Sequence, residues 1–298
     1  MHNTTEEKNL ESILLETKHL THTYSGGTSS AVTAIDDISA AFCSGEIVGI
    51  IGHTGSGKST FIEHLNGLLK GTNGVVLLEG KDIWANKKEI RKVRFKVGVC
   101  FQYPEYQLFE ETVEKDIGFG PKNMGLSEEE IARRVRTVLG YVGLNDSYLS
   151  KSPFDLSGGE KRRVAIAGIM AMEPQVLVLD EPSAGLDPRG RTKILDLVRT
   201  YQKQTGCTVL LVSHSMEDVA GLASRIFVMN KAQLAYFDTV AVVFSHAQAL
   251  EAMGLDIPQV TKLFARLKEN GYDVDTGIYS VDAAHKELLR LLEGGARR

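Results

Sequence analysis

Short apolar runs alternate with amphipathic stretches along the chain, and this rhythm predicts strands separated by helices. Ile13 to Tyr24 alternates in strand fashion through Leu15, Thr17, Leu20, His22 and Tyr24. A turn-rich stretch, Ser25 to Ser30, separates it from a second strand at Ala34–Phe42. Two such strands predict a small antiparallel layer. Glu46–Ile51 is a short apolar strand, followed by a glycine-rich turn and a helix at Phe61–Leu65. Gly74–Gly80 is a strand set between glycines, and Val97–Phe101 is a buried strand ending at Gln102. From Glu105 to Leu149 the chain turns helical and polar, which predicts an inserted helical subdomain over about 105–155. The core resumes with a helix after Ser157, a strand at Val176–Leu179, and a helix from about Arg189 to Gln204. Strands at Thr208–Ser213 and Arg225–Met229 complete it. Strands separated by helices predict an α/β fold with a mostly parallel sheet, right-handed crossovers and helices on both faces.

The texture changes beyond residue 245, so the chain divides into a core over 13–245 and a mainly helical extension over 246–298. In the extension, Pro258 opens a helix carrying Val260, Leu263, Phe264 and Leu267, with Gly271 closing it. Ser280 caps a last helix bearing Val281, Ala284, Leu288, Leu289 and Leu292. Each helix has one apolar stripe, which serves either packing on the core or a dimer or partner surface. Residues 1–12 are polar and predict a frayed start.

Composition narrows the function classes. A chain of 298 residues with 43% apolar and 24% charged residues is that of a soluble globular protein. The net charge of -4 argues against a nucleic-acid partner. No apolar run reaches the roughly 18 to 20 residues that span a bilayer. The run Val240–Phe244 is cut short by Ser245 and His246. Acidic residues and the lack of an apolar segment near the N-terminus argue against a signal peptide. Cys43, Cys100 and Cys207 are odd in number and far apart, as expected of reduced, buried thiols in a cytosol.

The chemistry is concentrated in Gly52, His53, Thr54, Gly55, Ser56, Gly57, Lys58, Ser59 and Thr60. A glycine-rich turn between a strand and a helix, ending in Lys-Ser, is a phosphate-binding loop in its required context. Glycines let backbone N–H groups curl around an anion, and the helix directs its positive end at the same point. Lys58 adds a charge for the outer phosphates, and the Ser59 hydroxyl suits Mg²⁺. Asp180 and Glu181 lie at the C-terminal end of an apolar strand, where open parallel sheets bind ligands. Asp180 suits Mg²⁺, and Glu181 suits orienting or deprotonating the attacking water. Alternation along the strand sends the two acids to opposite faces.

Leu156-Ser157-Gly158-Gly159-Glu160 opens a helix, and Ser157 with Glu160 fits a capping box. The Gly-Gly pair also exposes backbone N–H groups at a positive helix end, a second phosphate site. Two such sites serve one nucleotide only if two chains pair, so the sequence predicts a dimer.

Taken with Gln102, Ser183-Ala184-Gly185-Leu186-Asp187 and His214, these motifs resemble the nucleotide-binding subunits of ABC transporters over residues 13–235. The resemblance implies a P-loop ATPase and a head-to-tail ATP sandwich. In it, Tyr24 would stack on adenine and Gln102 would reach Mg²⁺ and report to the membrane partner. His214 would contact the γ-phosphate, and Asp187 would act across the dimer. Glu160 stands where the family commonly has Gln, and a carboxylate near phosphate is costly unless turned outward as a cap.

The stretches Phe101–Phe109, Thr112–Asn123 and Gly254–Val260 are similar to the ATPases of energy-coupling factor transporters, importers of vitamins and transition-metal ions. Within that group the chain resembles the second of two homologous ATPases. This implies three partners: a second ATPase subunit, a transmembrane coupling subunit and a membrane substrate-binding subunit. It also implies a peripheral place on the cytoplasmic face of the membrane. Glu105, Glu110, Glu111 and Glu114 suit either the basic ends of coupling helices or a solvated acidic face. The competing expectations are another importer's ATPase, a soluble ABC ATPase, or a nucleotide switch lacking turnover.

Overall fold

The computed structural model of the chain describes residues 12–294 apart from residue 28. The polar start, except Ser12, and Thr28 of the first turn lie outside the described residues. Strand β1 (Ile13–Tyr24) pairs antiparallel with β2 (Val32–Cys43), as the alternation predicts. Its other side takes β4 (Asn73–Leu78), which is extended by the two-residue β5 (Lys81–Asp82). The order of this antiparallel sheet is β2-β1-β4-β5.

The second sheet holds β3 (Ile47–Ile51), β6 (Val97–Cys100), β7 (Val176–Asp180) and β8 (Thr208–Val212). With β9 (Arg225–Asn230) and β10 (Gln233–Thr239) its order is β10-β9-β3-β8-β7-β6. All neighbours are parallel except the terminal pair β9 and β10. β10 is a strand that the sequence pattern does not predict. Its residues are mostly half-exposed, so no apolar run marks it.

Alternation along the central strands divides the core. In β7, Leu177 and Leu179 join one apolar cluster while Val176 and Val178 join another. The second cluster fuses the two sheets around α1 (Lys58–Leu65) through Phe42, Phe61, Ile62 and Phe227. Phe61 stacks on Phe227 with centroids 4.8 Å apart. Helix α2 (Ile90–Lys96) leads into β6.

The other cluster carries the inserted helices. These are α3 (Val113–Asn123) and α4 (Glu128–Tyr141), with α5 (Gly158–Met170) beneath them. Thr112 and Ser127 accept backbone N–H groups as caps, and three glutamates fill the first turn of α4, so both helices start where local chemistry directs. Helices α6 (Pro188–Thr205) and α7 (Met216–Leu222) connect the last parallel strands.

Beyond β10, α8 (Val240–Ser245) and α9 (Ala247–Ala252) pack through Val243, Phe244 and Leu250 against Ile51, Val219 and Val228. A separate small cluster forms around Phe264 of α10 (Gln259–Glu269) and Ala284 of α11 (Val281–Gly294). The division at 245/246 therefore falls between two helices that share one apolar cluster with the core. Pro258 is the cap before α10 rather than its first residue, and Gly271 follows the C-cap Asn270 at φ 84°. Ser280 Oγ accepts from Ala283 N, as expected of a cap. No helix among the described residues is long and apolar enough to cross a membrane.

Candidate nucleotide site

Parallel pairing sets β3, β8, β7 and β6 side by side with their C-terminal ends on one edge. Each end delivers one predicted element. The turn 52–57 follows β3, His214 follows β8, Asp180 and Glu181 end β7, and Gln102 follows β6.

Two glycines make the turn possible. A Cβ at Gly52 would lie 2.5 Å from both the Met229 carbonyl and Ser56 Oγ. Gly57 has φ 104°, and a Cβ there would lie 2.2 Å from the Ala34 carbonyl. Between them, His53 is half-exposed, Thr54 and Gly55 are exposed, and Ser56 is buried. Ser59 is exposed at the start of α1, and Thr60 is half-buried. Lys58 folds back over the turn and donates to the carbonyls of Gly52 at 2.6 Å and His53 at 3.1 Å. Burial lowers the pKa of its ammonium, partly offset by the charges of Glu181 and Asp180.

Burial raises the Asp180 carboxyl, opposed by Lys58. Glu181 is pushed up to about 7 by burial first and by the neighbouring Asp180 charge second. A carboxyl poised there suits a general base. Its Oε1 is buried without a hydrogen-bond partner and lies 3.5 Å from His214 Nε2, a long contact. The strand ends at Asp180, and Glu181 turns to φ 51°, so alternation does not set its direction as the sequence predicts. His214 is exposed, with its pKa lowered by partial burial and then by Lys58.

Tyr24 is 41% exposed at the end of β1, its hydroxyl 3.3 Å from Thr60 Oγ1. The remaining predicted residues lie elsewhere. Ser157, Gly158 and Gly159 share a cleft with Tyr103, Gly185 and Asp187, and no residue of 52–60 lines it. Asp187 is the cap of α6, its carboxylate accepting from Gly190 N at 2.6 Å.

Glu160 is turned into its own helix start. It accepts from Ser157 N at 2.9 Å, Ser157 Oγ at 2.6 Å and Tyr148 OH at 2.7 Å. Those contacts, the Ser157 hydroxyl foremost, hold its carboxyl down at about 2. Its charge is thus occupied by the cap.

Arg162 is a site residue that motif reading misses. It is 3% exposed, pairs with Glu105, and donates to the carbonyls of Pro182 and Ala184 just past Glu181. Glu105 lies 57 positions away in sequence, so no local pattern signals the pair.

Residues 35–184 match the ABC transporter family. The chain is 50% identical over 283 residues to an energy-coupling factor transporter ATP-binding protein, EcfA2, of Clostridium tetani. That match covers 95% of this chain and 98% of the relative. The chain belongs to the ABC transporter family. Within that family it groups with the ATP-binding subunits of energy-coupling factor transporters, as a transport ATPase. The ABC fold is shared with solved structures. The cbiO1 protein of Clostridium perfringens, part of the cbiONQ complex, is 36% identical with TM-score 0.73 over 87% of this chain and 98% of its own. The ATP-binding cassette MJ0796, in a dimeric post-hydrolysis state bound to ADP and Pi, is 27% identical with TM-score 0.68. That likeness covers 76% of this chain and 98% of the cassette.

Proposed function

We propose that this ABC ATPase binds ATP with Mg²⁺ between two ATPase subunits and drives uptake of a vitamin or a transition-metal ion. Its partners in that reading are a second ATPase subunit, a transmembrane coupling subunit and a membrane substrate-binding subunit, on the cytoplasmic face of the membrane. One observation carries it. The Ser157–Gly159 helix start, which suits an anion as the turn 52–60 does, opens into a cleft that no residue of that turn lines. Each half is completed by another subunit, with Asp187 beside the second half.

In the proposed mechanism, Tyr24 stacks on adenine while the turn, Lys58 and the start of α1 hold the phosphates. His214 contacts the γ-phosphate and Glu181 takes a proton from the attacking water. Chemistry here is positioning and charge stabilisation. The donor set suits Mg²⁺, which commonly takes few protein oxygens beside substrate phosphates: a hydroxyl, a carboxylate and an amide oxygen are all hard oxygen donors. Ser59, Asp180 and Gln102 are the side chains that would hold it. Mg²⁺ would supply neutralisation of phosphate charge.

The contact with membrane partners is assigned to the segment after Gln102. Tyr106 is 84% exposed and Phe109 57%, in a segment that also carries Glu110 and Glu114. Exposed aromatics with acids suit the ends of basic amphipathic helices. The stripe of Leu289 and Leu292 on α11, also exposed, suits the second ATPase subunit. Membrane sedimentation from the native host tests the assignment. Tyr106→Asp with Phe109→Asp is expected to free the ATPase from membranes while it still binds ATP. Undiminished sedimentation would refute it.

A further inference from the structure

Four residues form a closed ring of contacts beside the phosphate turn. The Tyr24 ring meets the His22 ring edge-on, with centroids 4.5 Å apart. His22 Nδ1 lies 3.1 Å from His64 Nε2, and His64 Nδ1 lies 2.6 Å from the Thr60 carbonyl. The Thr60 hydroxyl closes the ring at 3.3 Å from the Tyr24 hydroxyl. Both imidazoles are buried, His22 at 9% and His64 at 1% exposure.

Elementary chemistry fixes the protons. A carbonyl only accepts, so His64 Nδ1 carries a hydrogen and donates to Thr60. Burial holds His64 below its ordinary pKa, so the ring is neutral and its Nε2 is an acceptor. His22 Nδ1 must therefore be the donor in the pair. The Lys70 carbonyl, 3.2 Å from the same nitrogen, can share that N–H. This placement of hydrogens on the two Nδ1 atoms satisfies every contact.

The ring solves a mechanical problem. Tyr24 is a half-exposed aromatic at a strand end, and a loose side chain loses affinity when a ligand must order it. Here the His22 ring and the Thr60 hydroxyl restrain it from two sides. Thr60 in turn follows Lys58 and Ser59 on the first turn of α1. The platform for the base and the cradle for the phosphates are thereby fastened to the same turn.

We propose that His22 and His64 are positioning residues that lock Tyr24 onto the phosphate-turn helix and so govern the base-dependent share of nucleotide affinity. This rests on the reading that Tyr24 stacks on adenine. Both histidines are buried and act through Tyr24 and Thr60 rather than on the nucleotide itself.

Titration calorimetry on the full chain with Mg-ATP, and with Mg-tripolyphosphate as a probe lacking base and ribose, tests it. His22→Ala is expected to weaken ATP binding about three- to tenfold, the scale of one aromatic pair, and to leave tripolyphosphate within about twofold. The double variant His22→Ala/Tyr24→Ala is expected to bind ATP no more weakly than Tyr24→Ala alone. His22→Gln keeps an N–H for His64 but removes the ring, so it guards against a folding failure and should show the same selective loss. Unchanged ATP affinity in both His22 variants, with Tyr24→Ala weakened, overturns the inference and leaves the base reading standing. Unchanged affinity in Tyr24→Ala overturns the base reading itself. Equal losses on both ligands, or additive losses in the double variant, reduce the histidines to packing of α1.

Discussion

The Arg162 guanidinium and the Glu105 carboxylate form a two-point ion pair, Nε to Oε2 at 2.9 Å, that links the segment after Gln102 to helix α5. Burial raises the Glu105 carboxyl, but the hydrogen bonds and charge of Arg162 outweigh it and hold the group below its ordinary range. The same guanidinium grips the Pro182 and Ala184 carbonyls, next to Glu181. Two loops around the candidate site are thus pinned to α5 by one side chain.

Removing one partner of a buried pair leaves an uncompensated charge. Arg162→Ala is expected to cost about 3 kcal/mol in chemical denaturation. Glu105→Gln with Arg162→Gln should cost less than the sum of the single changes, with a coupling of roughly 0.5 to 3 kcal/mol. Strict additivity would show that the two groups act independently.

Glu181→Gln removes the proposed base and keeps the shape. Hydrolysis by the assembled complex is expected to fall about 10²- to 10⁴-fold. An ATP-dependent dimer should persist, seen as a shift in size-exclusion elution with Mg-ATP. Retained steady-state phosphate release would sink the assignment.

Lys58→Ala and Gly57→Ala separate binding from folding. A lysine whose folded pKa is lowered binds its proton more weakly when folded, so it costs stability at neutral pH. Lys58→Ala should therefore weaken ATP binding without lowering the melting temperature. Gly57→Ala forces a Cβ against the Ala34 carbonyl at a left-handed φ, and is expected to lower both affinity and stability, the latter by about 1 to 3 kcal/mol. Calorimetric titration and thermal melts on the two variants decide. Normal ATP affinity in either would contradict the placement of the turn.

Glu160→Gln tests the cap by pH. A carboxylate depressed from 4.5 to about 2 adds stability above the unfolded value, and loses it as pH falls through the folded one. The advantage of the native residue over Gln should be level near neutral pH and shrink below about 4.5. Unfolding curves from about pH 7 to about pH 3 measure it. A difference that ignores pH would mean that the Glu160 charge is not held by Ser157 and Tyr148.

Much of the core was readable because its strands are continuous apolar runs. Val176–Asp180 and Thr208–Val212 are buried almost throughout, and the phosphate turn carries its own spacing. β10 was not readable, since Gln233–Thr239 buries no residue fully. The acids at the end of β7 were found as a pair, but not the left-handed turn that aims Glu181. His22 with His64, and Glu105 with Arg162, lie 42 and 57 positions apart, beyond any local pattern. Such partners are brought together by sheet order and helix packing alone.

Sheet order also separates what can change from what cannot. The candidate site lies along four of the six strands of the large sheet, β3, β8, β7 and β6, whereas the chain leaves the sheet from β10 at the opposite margin. Helices α10 and α11 then gather around their own small apolar cluster. Lengthening, shortening or re-charging this last segment leaves every strand end at the reaction edge in register. The margin beyond β10 is a place where the surface can change while the turn 52–60, the carboxylates at the end of β7 and His214 stay where they are.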